Sequence, residues 1–224
     1  MKRIVALIPA RLGSKGIKNK NLKKIGNLNL VQRAINTAKD AKIFEKIILS
    51  SDSKKILKFA YKKNIFKHLR SKKYATNKSN ISQTIIDVKK KYKLNNTYLF
   101  ILEPTSPLRT IKQIKRAYSS ILKKNLDSFC YFTEAMISPH RIWKIKNKKF
   151  LPIINDNKIW LPRQSFQKYY QAVGNVIVIN LDKYKPKKGI LFGKTGHILI
   201  DKIESIDIDT PDDLNIVRKI INKK

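Results

Sequence analysis

The chemistry in this chain is concentrated first in the stretch Pro9-Ala10-Arg11-Leu12-Gly13-Ser14-Lys15-Gly16-Ile17-Lys18-Asn19-Lys20-Asn21. Arg11, Lys15 and Lys20 supply cations that could neutralise a triphosphate, Ser14 supplies a hydroxyl donor, and Asn21 can bond ribose or phosphate oxygens. Gly13 and Gly16 permit close backbone approach to a phosphate and a positive φ. Their spacing fits neither G-x-G-x-x-G nor the Walker loop. An ordinary basic surface loop is the plainer use of the same residues. A second set is Ile206-Asp207-Ile208-Asp209-Thr210-Pro211-Asp212-Asp213. Residues two apart on a strand share a side, so Asp207 and Asp209 are expected to present two carboxylates together at a strand end. Paired like charges want a cation, and hard oxygen ligands suit Mg²⁺. Capping of the following helix by Thr210, Asp212 and Asp213 is the simpler role of that segment. A third set is Leu102-Glu103-Pro104-Thr105-Ser106-Pro107-Leu108-Arg109. Two prolines stiffen the turn, Thr105 and Ser106 offer hydroxyls, and Arg109 either binds an anion or caps the next helix.

Positioning these sets requires particular elements. Ile4–Pro9 is a continuous apolar run of the kind buried parallel strands show. Leu30–Ala41 carries Leu30, Ala34, Ile35, Ala38 and Ala41 on one helical face. Lys46–Ser50 reads as a strand, Ser53–Lys63 as a helix with Ile56, Leu57 and Ala60 inward, and Ser82–Tyr92 as another helix. Tyr98–Leu102 is a buried strand, Thr110–Lys124 a long amphipathic helix, and Ser128–Thr133 a strand. This β-α-β-α rhythm predicts an α/β fold with a mostly parallel sheet flanked by helices and right-handed crossovers. In such sheets ligands bind beyond the carboxyl ends of strands, where the 9–21 loop falls. Between about 138 and 170 the rhythm breaks into short apolar pieces separated by Lys, Asn and Pro, which predicts a hairpin or excursion. Asn175–Ile179, Ile198–Ile200 and Ile206–Ile208 return to strand character. Pro211–Ile221 closes as a helix, with Thr210 as N-cap.

The 224 residues suit one domain, or one domain with a modest insert. Lys and Arg number 50 against 15 Asp and Glu, a net charge of +35. Hydrophobic residues at 42% are enough for a packed core, so charge alone does not imply disorder. Seven Gly and eight Pro exclude collagen-like and linker-like chains. The single cysteine, Cys130, excludes a disulfide scaffold and points to a reducing, cytoplasmic setting. No segment reaches the roughly 20 apolar residues of a membrane span. Only nine of the basic residues are arginine, and lysine is scattered along every segment. Nucleic-acid readers favour arginine and interleaved aromatics, so a solvated surface is the expectation and a basic nucleic-acid-binding protein the alternative. The field attracts anionic substrates either way. His68, His140 and His197 have no partner readable from sequence and are expected to be structural. Cys130 reads as core, and Trp143 and Trp160 fall in the excursion.

Three motifs together resemble the CMP-sialic acid synthetases (acylneuraminate cytidylyltransferases). They are Ile-Pro-Ala-Arg-x-Gly-Ser-Lys-Gly-Ile-x-x-Lys-Asn at 8–21, Pro-Thr-Ser-Pro-Leu-Arg at 104–109 and Ile-Asp-Ile-Asp-Thr-Pro-x-Asp-Leu at 206–214. The resemblance spans the chain in the right order. The family is similar to the CMP-KDO synthetases, but Gly-Ser-Lys-Gly favours the sialic-acid branch. The resemblance implies a nucleotidyltransferase (Rossmann-like) fold, and activation of an acidic nine-carbon 2-keto sugar by CTP with Mg²⁺, releasing pyrophosphate. It places Arg11, Gly13, Ser14, Lys15, Lys20, Asn21, Arg70 and Ser82 at the nucleotide, with Arg11, Lys15, Lys20 and Asp209 as the catalytic set. It places Glu103, Arg163, Gln164 and Tyr170 at the sugar, and Asp207 and Asp209 on the metal. It also implies a homodimer whose excursion at 138–170 reaches into the partner. Leu12 stands where the family usually has glycine, Glu103 where it has glutamine, and Val173-Gly174-Asn175 where it has Asn-Gly-Ala. These bear on the sugar, for which legionaminic or pseudaminic acid is as apt as N-acetylneuraminate. KDO remains the alternative acceptor.

Overall fold

The computed structural model describes residues 2–222 apart from 15, 62, 72–79, 157 and 159, and of Arg163 the backbone only. Its frame is a seven-stranded sheet in the order β11-β7-β10-β6-β1-β4-β5. The strands are β1 (Arg3–Pro9), β4 (Lys46–Ser51), β5 (Ile65–Leu69), β6 (Thr97–Ile101), β7 (Ser128–Glu134), β10 (Tyr170–Asn180) and β11 (Thr195–Leu199). β1 lies parallel between β6 and β4, and β4 lies parallel to β5. β10 runs antiparallel to both β6 and β7, and β11 parallel to β7. The expected mostly parallel α/β sheet is therefore present, with one reversed strand.

The strands explain themselves by burial on both faces. Along β1, Ile4, Ala6 and Ile8 enter one core and Val5 and Leu7 the other, so the run is apolar without alternation. α1 (Leu30–Asp40) and α4 (Ile111–Lys124) cover the first face through Val31, Ala34, Ile35, Ile114, Ala117 and Ile121. α3 (Ile81–Lys91) covers the second with Ile85 and Val88. The helix starts are chemically specified: Asn29 and Thr110 each form a reciprocal capping box, with Gln32 and Gln113.

Three sequence expectations are corrected. Ser53–Lys63 is helical only over α2 (Lys54–Leu57), although Ile56, Leu57 and Ala60 are buried as anticipated. The chain instead passes Asn64 with φ 68° into the edge strand β5, which the sequence reading left unassigned. Ile206–Ile208 is not a strand. Ile208 N–H bonds the Thr105 carbonyl at 2.9 Å, with no ladder around it. The break at 138–170 does contain a hairpin, β8 (Trp143–Lys146) with β9 (Lys149–Pro152). Another small hairpin, β2 (Lys24–Ile25) with β3 (Leu28–Asn29), follows the 9–21 loop and was not anticipated. No helix of the described residues is long and apolar enough to cross a membrane.

The order β6-β1-β4-β5 makes a switch point. The chain leaves β1 toward β4 and β5, then returns to β6 on β1's other side. Crevices open at such places beyond the carboxyl ends of the strands. The loops leaving β1 and β6 both enter this one. A third core cluster joins them to the C-terminal helix α5 (Pro211–Asn222): Ile17 from the β1 loop, Ile25, Leu30, Ile208, Leu214 and Val217. Ile208 is fully buried. That anchorage, on the order of 2 kcal/mol for such a side chain, holds the flanking Asp207 and Asp209 beside the β1 loop.

Candidate active site

The crevice holds about 300 Å³ and is lined by Pro9, Arg11, Ser14, Lys20, Asn21, Arg70, Ile81, Glu103, Pro104, Thr105, Asp207 and Asp209. All three sequence motifs thus converge, although they lie up to 200 residues apart. One wall is cationic and the other carboxylate.

On the cationic wall, Leu12 is partly buried against the core and its N–H bonds Asp52 Oδ1 at 2.9 Å. The residue that replaces glycine therefore anchors the loop. Asn21 Nδ2 donates to the Arg11 carbonyl at 2.8 Å, while its buried Oδ1 has no partner in the protein. Ser14 Oγ accepts the Lys20 N–H at 3.2 Å. Arg70 follows β5, is 7% exposed, and leaves Nε and Nη2 without a hydrogen-bond partner. Burial holds its pKa below the ordinary value, with Asp52 opposing. Unpaired buried guanidinium is costly, and an anion in the crevice would satisfy it.

On the opposite wall, Asp207 accepts from Ser106 Oγ at 3.2 Å. Its pKa is raised, by burial first, with Thr105 and Ser106 lowering it and Asp209 raising it. Asp209 is mostly exposed. Lys20 Nζ donates to its Oδ1 at 2.7 Å and to the Ile208 carbonyl at 2.5 Å. Lys20 thus stands as the cation beside the two acids. Glu103 ends the strand-to-turn segment after β6, and its pKa is pushed from 4.5 up to about 7 by burial and then by Asp207, with Arg109 opposing.

Close approach explains two glycines. A Cβ at Gly16 would collide with the Asp209 carbonyl oxygen, and one at Gly174 with the Glu103 carboxylate. Gly13 is not among the positive-φ positions and does not line the crevice; the left-handed residue of the loop is Asn19, with φ 55°. The expectation of a positive φ at Gly13 is corrected accordingly, because the loop reverses at an asparagine able to adopt that conformation.

Other expected site residues fall elsewhere. Ser82 is buried at the start of α3, and both its N–H and hydroxyl bond Asn80 Oδ1; Ile81 lines the crevice instead. Gln164 lines a separate hollow with Phe166 and Tyr169. Tyr170 is half-exposed at the start of β10, opposite Glu134. Lys15 lies outside the described residues, as does the Arg163 side chain. Arg109 is a strut: its Nη1 donates to the Glu103 and Asn175 carbonyls, each at 2.9 Å, and burial lowers its pKa to about 10. Thr110 caps the helix after it. His68 is buried with Nδ1 2.8 Å from Ser50 Oγ, its pKa lowered to about 4 by burial. His140 pairs with Asp156 at 2.7 Å, and His197 meets Phe132 edge-on. Cys130 is buried in the core, its thiol pushed up to about 11.

A second cleft adjoins the first through Glu103, Asp207 and Asp209 and is lined further by Thr133, Glu134, Gln171, Gly174, Lys202 and Asp213, among others. Thr133, Glu134 and Lys202 were not anticipated. They carry no motif, and only the pairing of β7 with β10 and the course of the 200–206 segment bring them here.

Glycine-containing cationic loop, switch-point crevice and facing carboxylates define a nucleotidyltransferase of the α/β class. The chain matches the cytidylyltransferase family over residues 5–204 and belongs to it. It is 29% identical over 232 residues to the post-translational flagellin modification protein B of Campylobacter coli, spanning 100% of this chain and 97% of that one. It is 29% identical over 227 residues to the CMP-N,N'-diacetyllegionaminic acid synthase of Legionella pneumophila, spanning 98% and 96%. It is also 26% identical to the N-acylneuraminate cytidylyltransferase of Streptococcus agalactiae serotype III, over 93% of this chain but 51% of that one. Among solved structures, a CMP:2-keto-3-deoxy-manno-octonic acid synthetase complexed with CTP shares the fold with TM-score 0.69, 14% identity and 99% of each chain covered. The 4-diphosphocytidyl-2C-methyl-D-erythritol synthase of Anaerococcus prevotii does so with TM-score 0.64 and 13% identity, over 99% of this chain and 96% of that one.

Proposed function

We propose that this cytidylyltransferase moves the cytidylyl group of CTP onto the anomeric 2-hydroxyl of an acidic nine-carbon 2-keto sugar, giving a CMP-sugar and pyrophosphate. The observation that carries the reading is the crevice itself. The unpartnered Arg70 guanidinium, with Arg11 and Lys20, faces Asp207 and Asp209 across a space of about 300 Å³. The full-length likeness to the Legionella CMP-N,N'-diacetyllegionaminic acid synthase supports the sugar class. The likeness to the KDO synthetase, at 14% identity, speaks to the fold alone.

In this reading the 2-hydroxyl oxygen bonds the α-phosphorus while the bond to the bridging oxygen of pyrophosphate breaks. Such a transfer depends mainly on positioning and charge stabilisation. Arg11, Lys15, Lys20 and Arg70 grip the phosphate tail and carry the charge that grows on the leaving group. Gly13, Ser14 and Asn21 shape the loop around it. Asp207 and Asp209 fit a magnesium ion: they are hard oxygen donors on one wall, the buried member has a raised pKa, and a lysine ammonium already sits against the other. Bound there, Mg²⁺ would supply charge neutralisation at the phosphate oxygens. Arg163 would pair with the sugar carboxylate, in the fork geometry that arginine offers, with Gln164 and Tyr170 on the same segment.

The chain is read as one cytidylyltransferase domain, acting in the cytoplasm, with residues 138–170 as a dimerisation arm. Met136, Ile145, Phe150 and Trp160 are 69%, 67%, 68% and 89% exposed. A two-stranded hairpin with such a surface is marginal alone, and a second copy of the chain supplies the cover. Incubation with CTP, Mg²⁺ and a panel of nonulosonic acids and KDO, reading pyrophosphate, tests the assignment. Release with no nonulosonic acid, or with KDO only, would overturn it.

A further inference from the structure

The second cleft has a volume of about 450 Å³ and a composition at odds with the rest of the protein. Five of the chain's 15 acids line it (Glu103, Glu134, Asp207, Asp209 and Asp213), against one lysine, Lys202, in a chain of net charge +35. Three of the five are engaged. Asp207 takes the Ser106 hydroxyl, Asp209 pairs with Lys20, and Asp213 accepts from Thr210 and the Asp209 N–H at the start of α5. Glu103 and Glu134 remain to face the cleft. Glu103 is set in place by contact with Gly174, where a Cβ would strike its carboxylate. An independent feature points the same way. Thr133 lines the cleft, is 2% exposed, and its Oγ1 finds no hydrogen-bond partner. A buried hydroxyl in that state is unfavourable unless a ligand completes it.

The lining therefore presents acceptors and negative charge, and asks for a positively charged N–H donor. A second metal ion is the poorer occupant. Among the described residues no three His, Cys, Asp or Glu side chains converge as a metal site would require. A broader organic cation can bridge carboxylates that do not converge.

Resting on the CMP-sugar reading above, we propose that the acceptor carries a cationic nitrogen substituent, an ammonium or amidinium, besides its carboxylate. Glu103 and Glu134 select that substituent, and Thr133 Oγ1 accepts one of its N–H groups. A neutral acetamide at the same place would turn a carbonyl oxygen toward carboxylates, and its desolvation would go uncompensated.

The test uses two nine-carbon 2-keto acids of one skeleton that differ only in one nitrogen substituent, acetamido in one and the isosteric, charged acetamidino in the other. With CTP and Mg²⁺, pyrophosphate release is expected to give the acetamidino acid a kcat/KM roughly tenfold or more above the acetamido acid. Glu134→Gln and Thr133→Val are each expected to cut that ratio severalfold, by raising KM for the charged acid. Thr133→Val removes an unpartnered hydroxyl at nearly constant shape and so keeps the fold, even if Glu134→Gln does not. Equal or reversed preference in the wild-type protein, or a ratio unmoved by Thr133→Val, would overturn the proposal while leaving the CMP-sugar reading intact. Absence of turnover with both acids would remove the nonulosonate reading and this one with it.

Discussion

Replacing Glu103 by glutamine should stabilise the protein, and by an amount that depends on pH. Glu103 lies largely buried at the junction of the two clefts, and its pKa rises from 4.5 to about 7. Below pH 4.5 it is protonated in both folded and unfolded chains and costs nothing. Between 4.5 and 7 the unfolded chain releases a proton that the folded one keeps, so stability falls as pH rises. Above 7 both are ionised and the full penalty stands. The shift of 7 − 4.5 = 2.5 pKa units corresponds to about 3 kcal/mol at roughly 1.36 kcal/mol per unit. Glutamine has the shape of the protonated acid, fits beside Gly174 and never ionises. Urea unfolding of both proteins, with a chelator present, should show Glu103→Gln more stable by under about 1 kcal/mol at pH 5 and by about 3 kcal/mol at pH 8. A difference independent of pH, or a variant less stable at pH 8, would refute the electrostatic account of this site.

Asp209→Ala should abolish Mg²⁺-dependent pyrophosphate release while circular dichroism stays native, because the side chain is exposed and anchorage comes from Ile208; retained activity would remove it from the metal site. Arg70→Met should raise KM for CTP at least tenfold without loss of thermal stability, since the guanidinium leaves Nε and Nη2 unpartnered in the free protein; an unchanged KM would place the phosphates elsewhere. Gly16→Ala should cost roughly 1–3 kcal/mol in unfolding experiments and lower kcat, because the new methyl meets the Asp209 backbone carbonyl. Ile145→Asp should turn a dimer into a monomer in sedimentation velocity, given the exposure of that hairpin side chain, and an unchanged mass would move the interface off the arm.

The order of elements was legible in the sequence because each strand of the parallel part is apolar without interruption and each long helix keeps one apolar stripe. The 8–21, 104–109 and 206–214 motifs were legible because their residue types are unusual together: glycines among cations, prolines beside hydroxyls, paired aspartates in a chain short of acids. Their common destination followed from the position of a loop after a strand, which is a local property. Tertiary structure alone decided what each residue faces. Asp207 and Asp209 meet the β1 loop through one apolar contact set, Ile208 with Ile17, and not through a strand. Ser82 turned inward to Asn80, and Arg109 became a strut under Glu103, because a hydrogen-bond partner from elsewhere in the chain outweighed the local pattern. The acidic second cleft left no trace in the motifs at all. Its walls come from the end of β7, the bulged β10 and the segment before α5, and segments so far apart in the chain become neighbours only when the sheet closes them together.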